Sequence, residues 1–176
     1  MHKAIHDKKF IPTALFAKPM MLSYLSHLQC SGCGREYTHT EIHTFCLDCQ
    51  SPLLAIYDLE HARQHVDREE ISRRRKGMWR WSELLPVLNV ENQIFLGEGD
   101  TPLLALPHLE KELGLSHLYV KDESSNPTGS FKARGLAAAV SKAKELGVEK
   151  VIIPTAGNAG GAMAAYAARA GLKAYI

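Results

Sequence analysis

The stretch Lys121-Asp122-Glu123-Ser124-Ser125-Asn126-Pro127-Thr128-Gly129-Ser130-Phe131-Lys132-Ala133-Arg134-Gly135 decides how the rest of the chain is read. Just before it, Leu118-Tyr119-Val120 is short, apolar and partly β-branched, as a buried strand should be. Asn126, Pro127 and Gly129 then make a tight turn, and Ser130 is placed to cap a helix running from about Phe131 to Leu146. Leu136, Val140 and Ala143 fall on one stripe of that helix, and Gly147 marks its stop. Lys132 therefore lies in the first helical turn, where the helix dipole disfavours a cation. Partial burial acts in the same direction, and a neutral lysine amine is a nucleophile toward a carbonyl carbon.

Downstream, Val151-Ile152-Ile153 is the next strand, and Thr155-Ala156-Gly157-Asn158-Ala159-Gly160-Gly161 is a second strand-to-helix loop. The alanine-rich helix from about Asn158 to Ala170 stops at Gly171, and a further strand starts at Leu172. Pro107 and Gly114 open and close an earlier helix. This alternation predicts an α/β fold with parallel strands and helical crossovers. The free N–H groups at the start of the Asn158 helix can cradle an anion, although glycine-bearing turns of this kind occur in many α/β proteins. Asn158 can also be a simple helix cap, and one oxygen cannot serve both purposes.

Toward the N-terminus, Gly97-Glu98-Gly99-Asp100-Thr101-Pro102 is a loop by its glycines and proline. Before it lies a connector, Tyr57 to Val87, with a charged helical stretch from Leu59 to Arg75 and the aromatic pair Trp79 and Trp81, expected to pack against something larger. Its basic run, Arg73 to Lys76, follows Glu69 and Glu70 and is expected to be a solvated helix end. The segment Leu28 to Leu54 holds all four cysteines in two C-x2-C pairs, Cys30/Cys33 and Cys46/Cys49. The spacer between the pairs is somewhat short for a zinc site, yet two knuckles still bring four thiolates into a tetrahedron around a structural Zn²⁺ with no open position. Gly34 suits the first knuckle, whereas Gln50 occupies the corresponding place in the second. Disulfides are the rival, disfavoured by the lack of a secretion signal, and His39 and His43 are expected to be exposed loop residues that could replace a ligand.

Across 176 residues, 45% apolar and 23% charged side chains suit a globular protein with a core, and the net charge of +2 is too mild to suggest a nucleic-acid partner. No apolar run is long enough to cross a bilayer, so no membrane partner and a cytoplasmic location are expected.

The lysine loop is similar to the cofactor-lysine motif of the fold-type-II pyridoxal-phosphate enzymes, and Asn-Pro-Thr-Gly-Ser-Phe-Lys (126–132) resembles the form found in the threonine synthase family. The cysteine-bearing front, Tyr57-Asp58-Leu59, Met78-Trp79-Arg80-Trp81 and Leu96 to Leu103 resemble that family as well. Ala133 departs from it, since many threonine synthases carry an acidic residue before the arginine. The resemblance implies a tryptophan-synthase-β-like α/β fold preceded by a zinc-ribbon-like module, with pyridoxal 5'-phosphate carried by Lys132. It also implies that Asn158 bonds the cofactor's ring hydroxyl and that Thr155, Ala156, Gly157, Asn158 and Ala159 hold the substrate carboxylate. The implied reaction turns O-phospho-L-homoserine and water into L-threonine and phosphate, in a monomer or homodimer; a serine or threonine dehydratase, a cysteate synthase, or a zinc-ribbon interaction module on a non-catalytic scaffold are the alternatives. Four parts are expected: 1–20, a disordered arm or gene-call extension; 21–58, the zinc-ribbon-like module; 59–147, the connector and start of the large cofactor-binding domain; and 148–176, the start of the small α/β domain. The family's phosphate loop and pyridine-nitrogen partner come later in its chains, so this chain is expected to be a truncated, N-terminal part that is inactive alone.

Overall fold

A computed structural model describes residues 23–155 and 157–176. The expected arm at 1–20 lies outside the described residues, as does Ala156. The first element group is a three-stranded antiparallel sheet, with β1 (Leu25–Cys30) between β2 (Glu36–Tyr37) and β3 (Leu53–Tyr57). Its core is Cys30, Tyr37 and Cys46 with Leu28 and Leu53 packed against them. The sheet is joined to the connector through Ser23, whose hydroxyl donates to the Leu85 carbonyl, and through the Tyr24 N–H, which donates to Glu83 O at 2.9 Å.

The charged stretch expected as one helix from Leu59 to Arg75 is two short ones, α1 (Leu59–His65) and α2 (Arg68–Arg73). The break has a local cause. Asp67 leaves helical geometry and its carboxylate accepts from the Glu69 N–H at 2.7 Å, just as Asp58 caps α1 through His61 at 2.9 Å. A 3₁₀ turn over Met78–Leu84 follows. There Trp79 packs on the main core and its indole donates to Ile94 O at 3.0 Å, whereas Trp81 stays 53% exposed, so the expected burial of the aromatic pair holds for one member.

Next come β4 (Leu103–Ala105), α3 (Pro107–Leu113), β5 (Tyr119–Lys121), α4 (Lys132–Glu145), β6 (Lys150–Ile152), α5 (Asn158–Ala170) and β7 (Lys173–Tyr175). Pro107 opens α3 and Gly114 closes it in the left-handed conformation, as expected. The crossover from β6 through α5 to β7 gives a parallel pair. The strand before the lysine loop departs from expectation: β5 pairs antiparallel with β4 and forms a separate two-stranded sheet. Residues 103–105 follow Pro102 directly, and Lys121 bonds back to Thr101, so the nearest free strand edge for β5 is its own predecessor.

The main core lies between α4 and α5 and is made of Ala133, Ala137, Val140, Ala162, Met163 and Tyr166, with Met78 from the connector and Ile94 from the segment after it. The buried stripe of α4 runs through Ala133, Ala137, Val140 and Ser141, one position round from the expected Leu136 and Ala143. Alanines on the contact face let the two helices approach closely, and Leu136 is left at the margin. Ser141 is buried with its hydroxyl accepting the Ile94 N–H at 2.8 Å, so its polar atom is satisfied.

Candidate active site

Lys132 is the first residue of α4 and is half-buried. The helix starts without a side-chain cap at Phe131; Ser130, expected at that place, sits one residue earlier and accepts the Lys132 N–H at 3.3 Å. The Lys132 ammonium lies 4.7 Å from the Phe131 ring centroid, and among the described residues it makes no ion pair. An amine left without a carboxylate partner at a helix start is available for chemistry with a carbonyl.

A polar clasp closes the loop that carries it. Glu123, at the loop's beginning, receives two hydrogen bonds from the Arg134 guanidinium, at 2.6 and 2.7 Å, and one from the Thr101 hydroxyl at 2.6 Å. The Asn126 amide adds a bond to the same carboxylate at 2.9 Å, while Asn126 Oδ1 accepts the Gly99 N–H at 3.1 Å. The Arg134 guanidinium, helped by Thr101 and Asn126 against a burial penalty, holds the Glu123 carboxyl down to about 2. Thus both ends of the lysine loop are tied together and to the loop at 97–101. Gly99 has φ +99°, and a Cβ there would lie 2.5 Å from Met78 N, so the close approach needs glycine. None of Glu98, Glu123 or Arg134 carries a mark in the sequence that singles it out, because each acts through partners distant along the chain.

The second loop ends on the first turn of α5, with Gly157 at the cap position and no side-chain cap. Thr155 Oγ1 accepts the Gly157 N–H at 3.2 Å. Asn158 is exposed and is the first helical residue, so it does not take the cap role that its type allows. Ala159 follows it, half-buried. Gly160 is buried: a Cβ there would lie 2.7 Å from Ile176 Cγ2 and 3.3 Å from Thr155, so this glycine lets α5 start close against its flanking strands. The Gly160 N–H already donates to Gly157 O at 2.9 Å, so of the first-turn amides of α5 those of Asn158 and Ala159 are the ones suited to an anion. Lys132 and Asn158 thus each open one of two helices that pack side by side.

The four cysteines form the other constellation. All are free thiols, and their sulfurs lie within 4.8 Å of one another, close enough to bind a metal ion. Cys30 and Cys49 approach to 3.3 Å and Cys33 and Cys46 to 3.5 Å, so each short contact crosses from one knuckle to the other. Tetrahedral coordination with metal–sulfur bonds near 2.3 Å separates the sulfurs by about 3.8 Å, and the group fits that figure. Backbone N–H groups of Gly32 and Cys33 point at Cys30 Sγ at 3.3 and 3.4 Å, and the Tyr37 hydroxyl donates to Cys46 Sγ at 3.1 Å, a donor pattern that suits metal-ligating sulfurs. Gly34 and Gln50 occupy matching left-handed positions, at φ +78° and +59°, so the second knuckle keeps the turn despite its side chain. The Gln50 amide donates to Cys46 O at 3.1 Å. His39 and His43 are half-buried rather than exposed, and neither joins the sulfur cluster.

Residues 94–176 match the family described as pyridoxal-phosphate dependent enzyme, and this part of the chain, with both loops, belongs to that family. The chain is related to the threonine synthases within it: it is 45% identical over 148 residues to threonine synthase of Methanocaldococcus jannaschii, a match spanning 84% of this chain and 36% of that protein. Threonine synthase of Methanosarcina acetivorans is 38% identical over 150 residues, with 85% and 36% covered. That of Halalkalibacterium halodurans is 50% identical over 96 residues, with 54% and 27% covered. The chain therefore spans about a third of the length of the first two. No helix among the described residues is long and apolar enough to cross a membrane.

Proposed function

We propose that the protein carrying this chain is a threonine synthase, a lyase that converts O-phospho-L-homoserine and water into L-threonine and phosphate as the last step of threonine biosynthesis. The observation that carries this reading is the pairing of an ion-pair-free Lys132 and an uncapped, exposed Asn158 at the starts of two helices that share one core. Lys132 holds pyridoxal 5'-phosphate covalently. When bound, the cofactor supplies an electron sink for carbanions formed on the substrate. Lys132 would move protons at the substrate's α and β carbons as general base and acid, with phosphate leaving from the γ carbon and water adding at the β carbon. Asn158 would hold the cofactor's ring hydroxyl through its side chain, and the loop at 155–159 would receive the substrate carboxylate. On this reading the remaining cofactor contacts lie outside this chain, which is inactive alone; the match to only 36% of the Methanocaldococcus jannaschii protein supports it.

The four cysteines hold a structural Zn²⁺, because four thiolates leave no coordination position for substrate. The substrate is a small anion, and the location is cytoplasmic. The full-length gene product carrying this chain, given pyridoxal phosphate and O-phospho-L-homoserine, should release phosphate and threonine together and lose both on Lys132→Ala. A keto acid formed from serine or threonine, without phosphate release, would instead make it a dehydratase.

A further inference from the structure

Glu98 is fully buried, and among the described residues it is the only charged side chain in the buried class. Its Oε2 accepts the Leu96 N–H at 3.0 Å and the Tyr166 hydroxyl at 2.7 Å, and its Oε1 has no partner. Neither donor is charged. A buried carboxyl group with one oxygen unpartnered is costly relative to an apolar side chain of similar volume, so filling the core does not account for it. Tyr166 is likewise fully buried, and burial, reinforced by the bond to Glu98, raises its hydroxyl well above the ordinary range. It therefore remains a donor wherever the protein is folded.

The neighbours of Glu98 show what the pair joins. Gly99 and Thr101 grip the lysine loop through Asn126 and Glu123, while Glu98 between them and the connector grips α5. Tyr166 lies about two turns beyond Asn158 on that same helix. Three of the six buried side chains at the α4–α5 contact, Ala133, Ala137 and Ala162, are alanines, which present shallow ridges and only weakly oppose sliding of one helix along the other. A directional hydrogen bond supplies the axial register that this smooth contact lacks.

We propose that the Glu98–Tyr166 hydrogen bond is a positioning contact that sets the loop at 155–159 against the lysine loop, so that substrate-carboxylate binding depends on it. The proposal rests on the roles given to those two loops above. Loss of the bond acts on α5 and its anion-holding turn, while the clasp around Lys132 stays closed by Arg134 and Glu123. The pair should therefore govern KM rather than the attachment of the cofactor.

The test uses the full-length protein with Tyr166→Phe, Glu98→Gln and the double variant, well below their melting temperatures. Three readouts are taken: the resting absorbance of the bound cofactor, its change on titration with O-phospho-L-homoserine or other amino acids, and steady-state kinetics. Tyr166→Phe should keep the resting spectrum and raise KM and the spectral midpoint roughly tenfold, with kcat within about threefold. Glu98→Gln keeps an oxygen for both donors and should show a smaller shift, and the double variant should be no worse than Tyr166→Phe, as coupled residues require. Parental KM and midpoint in both single variants, with only a lower melting temperature, overturn the proposal. So does failure of both to fold, which would make the pair a folding contact. If the parent responds spectrally to amino acids but releases no phosphate, the threonine synthase reading fails while this test stands; a parent with no cofactor absorbance removes both.

Discussion

The cysteine module and the α4–α5 region solve the same problem, holding a loop in place, by opposite means. In the module, two knuckles are fixed by their own turns at Gly34 and Gln50 and brought together by four sulfurs over a core of only three buried side chains. In the α4–α5 region the two helices share a larger apolar core, and polar ties join the loop at 97–101 to the lysine loop at 122–131 and to α5. The difference teaches where each should fail. A small sheet with so little apolar burial should depend on a metal held by the four sulfurs, whereas the two-loop region should depend on packing and on long-range hydrogen bonds.

The comparison breaks first at Lys132. Lys132→Ala should lower turnover on the order of a thousandfold or more while leaving the melting temperature and the bound metal near those of the parent. A large loss of stability would show that the lysine is part of the packing. Removal of the metal should do the reverse in space: a strong chelator, or Cys46→Ser, should abolish amide-exchange protection at 25–57 and leave α4 and α5 protected. One zinc per chain by elemental analysis is the expected stoichiometry; protein purified without chelator and free of metal would remove that half of the contrast.

A smaller effect lies in the clasp. Glu123 is held at about 2 in the folded protein against an ordinary value of 4.5, chiefly by Arg134. A folded-state value below the unfolded one means that the contribution is complete above pH 4.5 and is lost as the pH falls toward 2. Acid titration of stability should therefore be shallower in Glu123→Gln than in the parent over that window, and an unchanged slope would show the clasp to be energetically idle. The smallest change is expected at the second knuckle. Gln50→Gly relieves a left-handed backbone but loses the amide bond to Cys46, so melting should show a net gain below about 1 kcal/mol. A net loss would mean that the amide outweighs the backbone.

Ala133 illustrates how sequence and structure divide the explanation. In the sequence it is a departure from the family's acidic residue; in the structure it is fully buried on the face of α4 that meets α5, a position where a carboxylate would need a partner of its own. The antiparallel pairing of β4 with β5 is a similar case. Leu103–Ala105 is only three residues long, and its patterning is too short to declare a strand before its partner is known.

What the sequence determined by itself is everything encoded within a few neighbouring residues. The two C-x2-C pairs, the lysine at a helix start, the glycine-bearing turn before Asn158 and the stops at Gly114, Gly147 and Gly171 all depend on turn chemistry and spacing, which act locally. Tertiary structure alone decided which of these meet. Glu98 and Tyr166 stand 68 positions apart and Arg134 and Glu123 stand 11 apart, and in each pair the meaning of one residue is fixed by the other's arrival. A buried carboxylate is legible only once the walls that exclude water around it have closed.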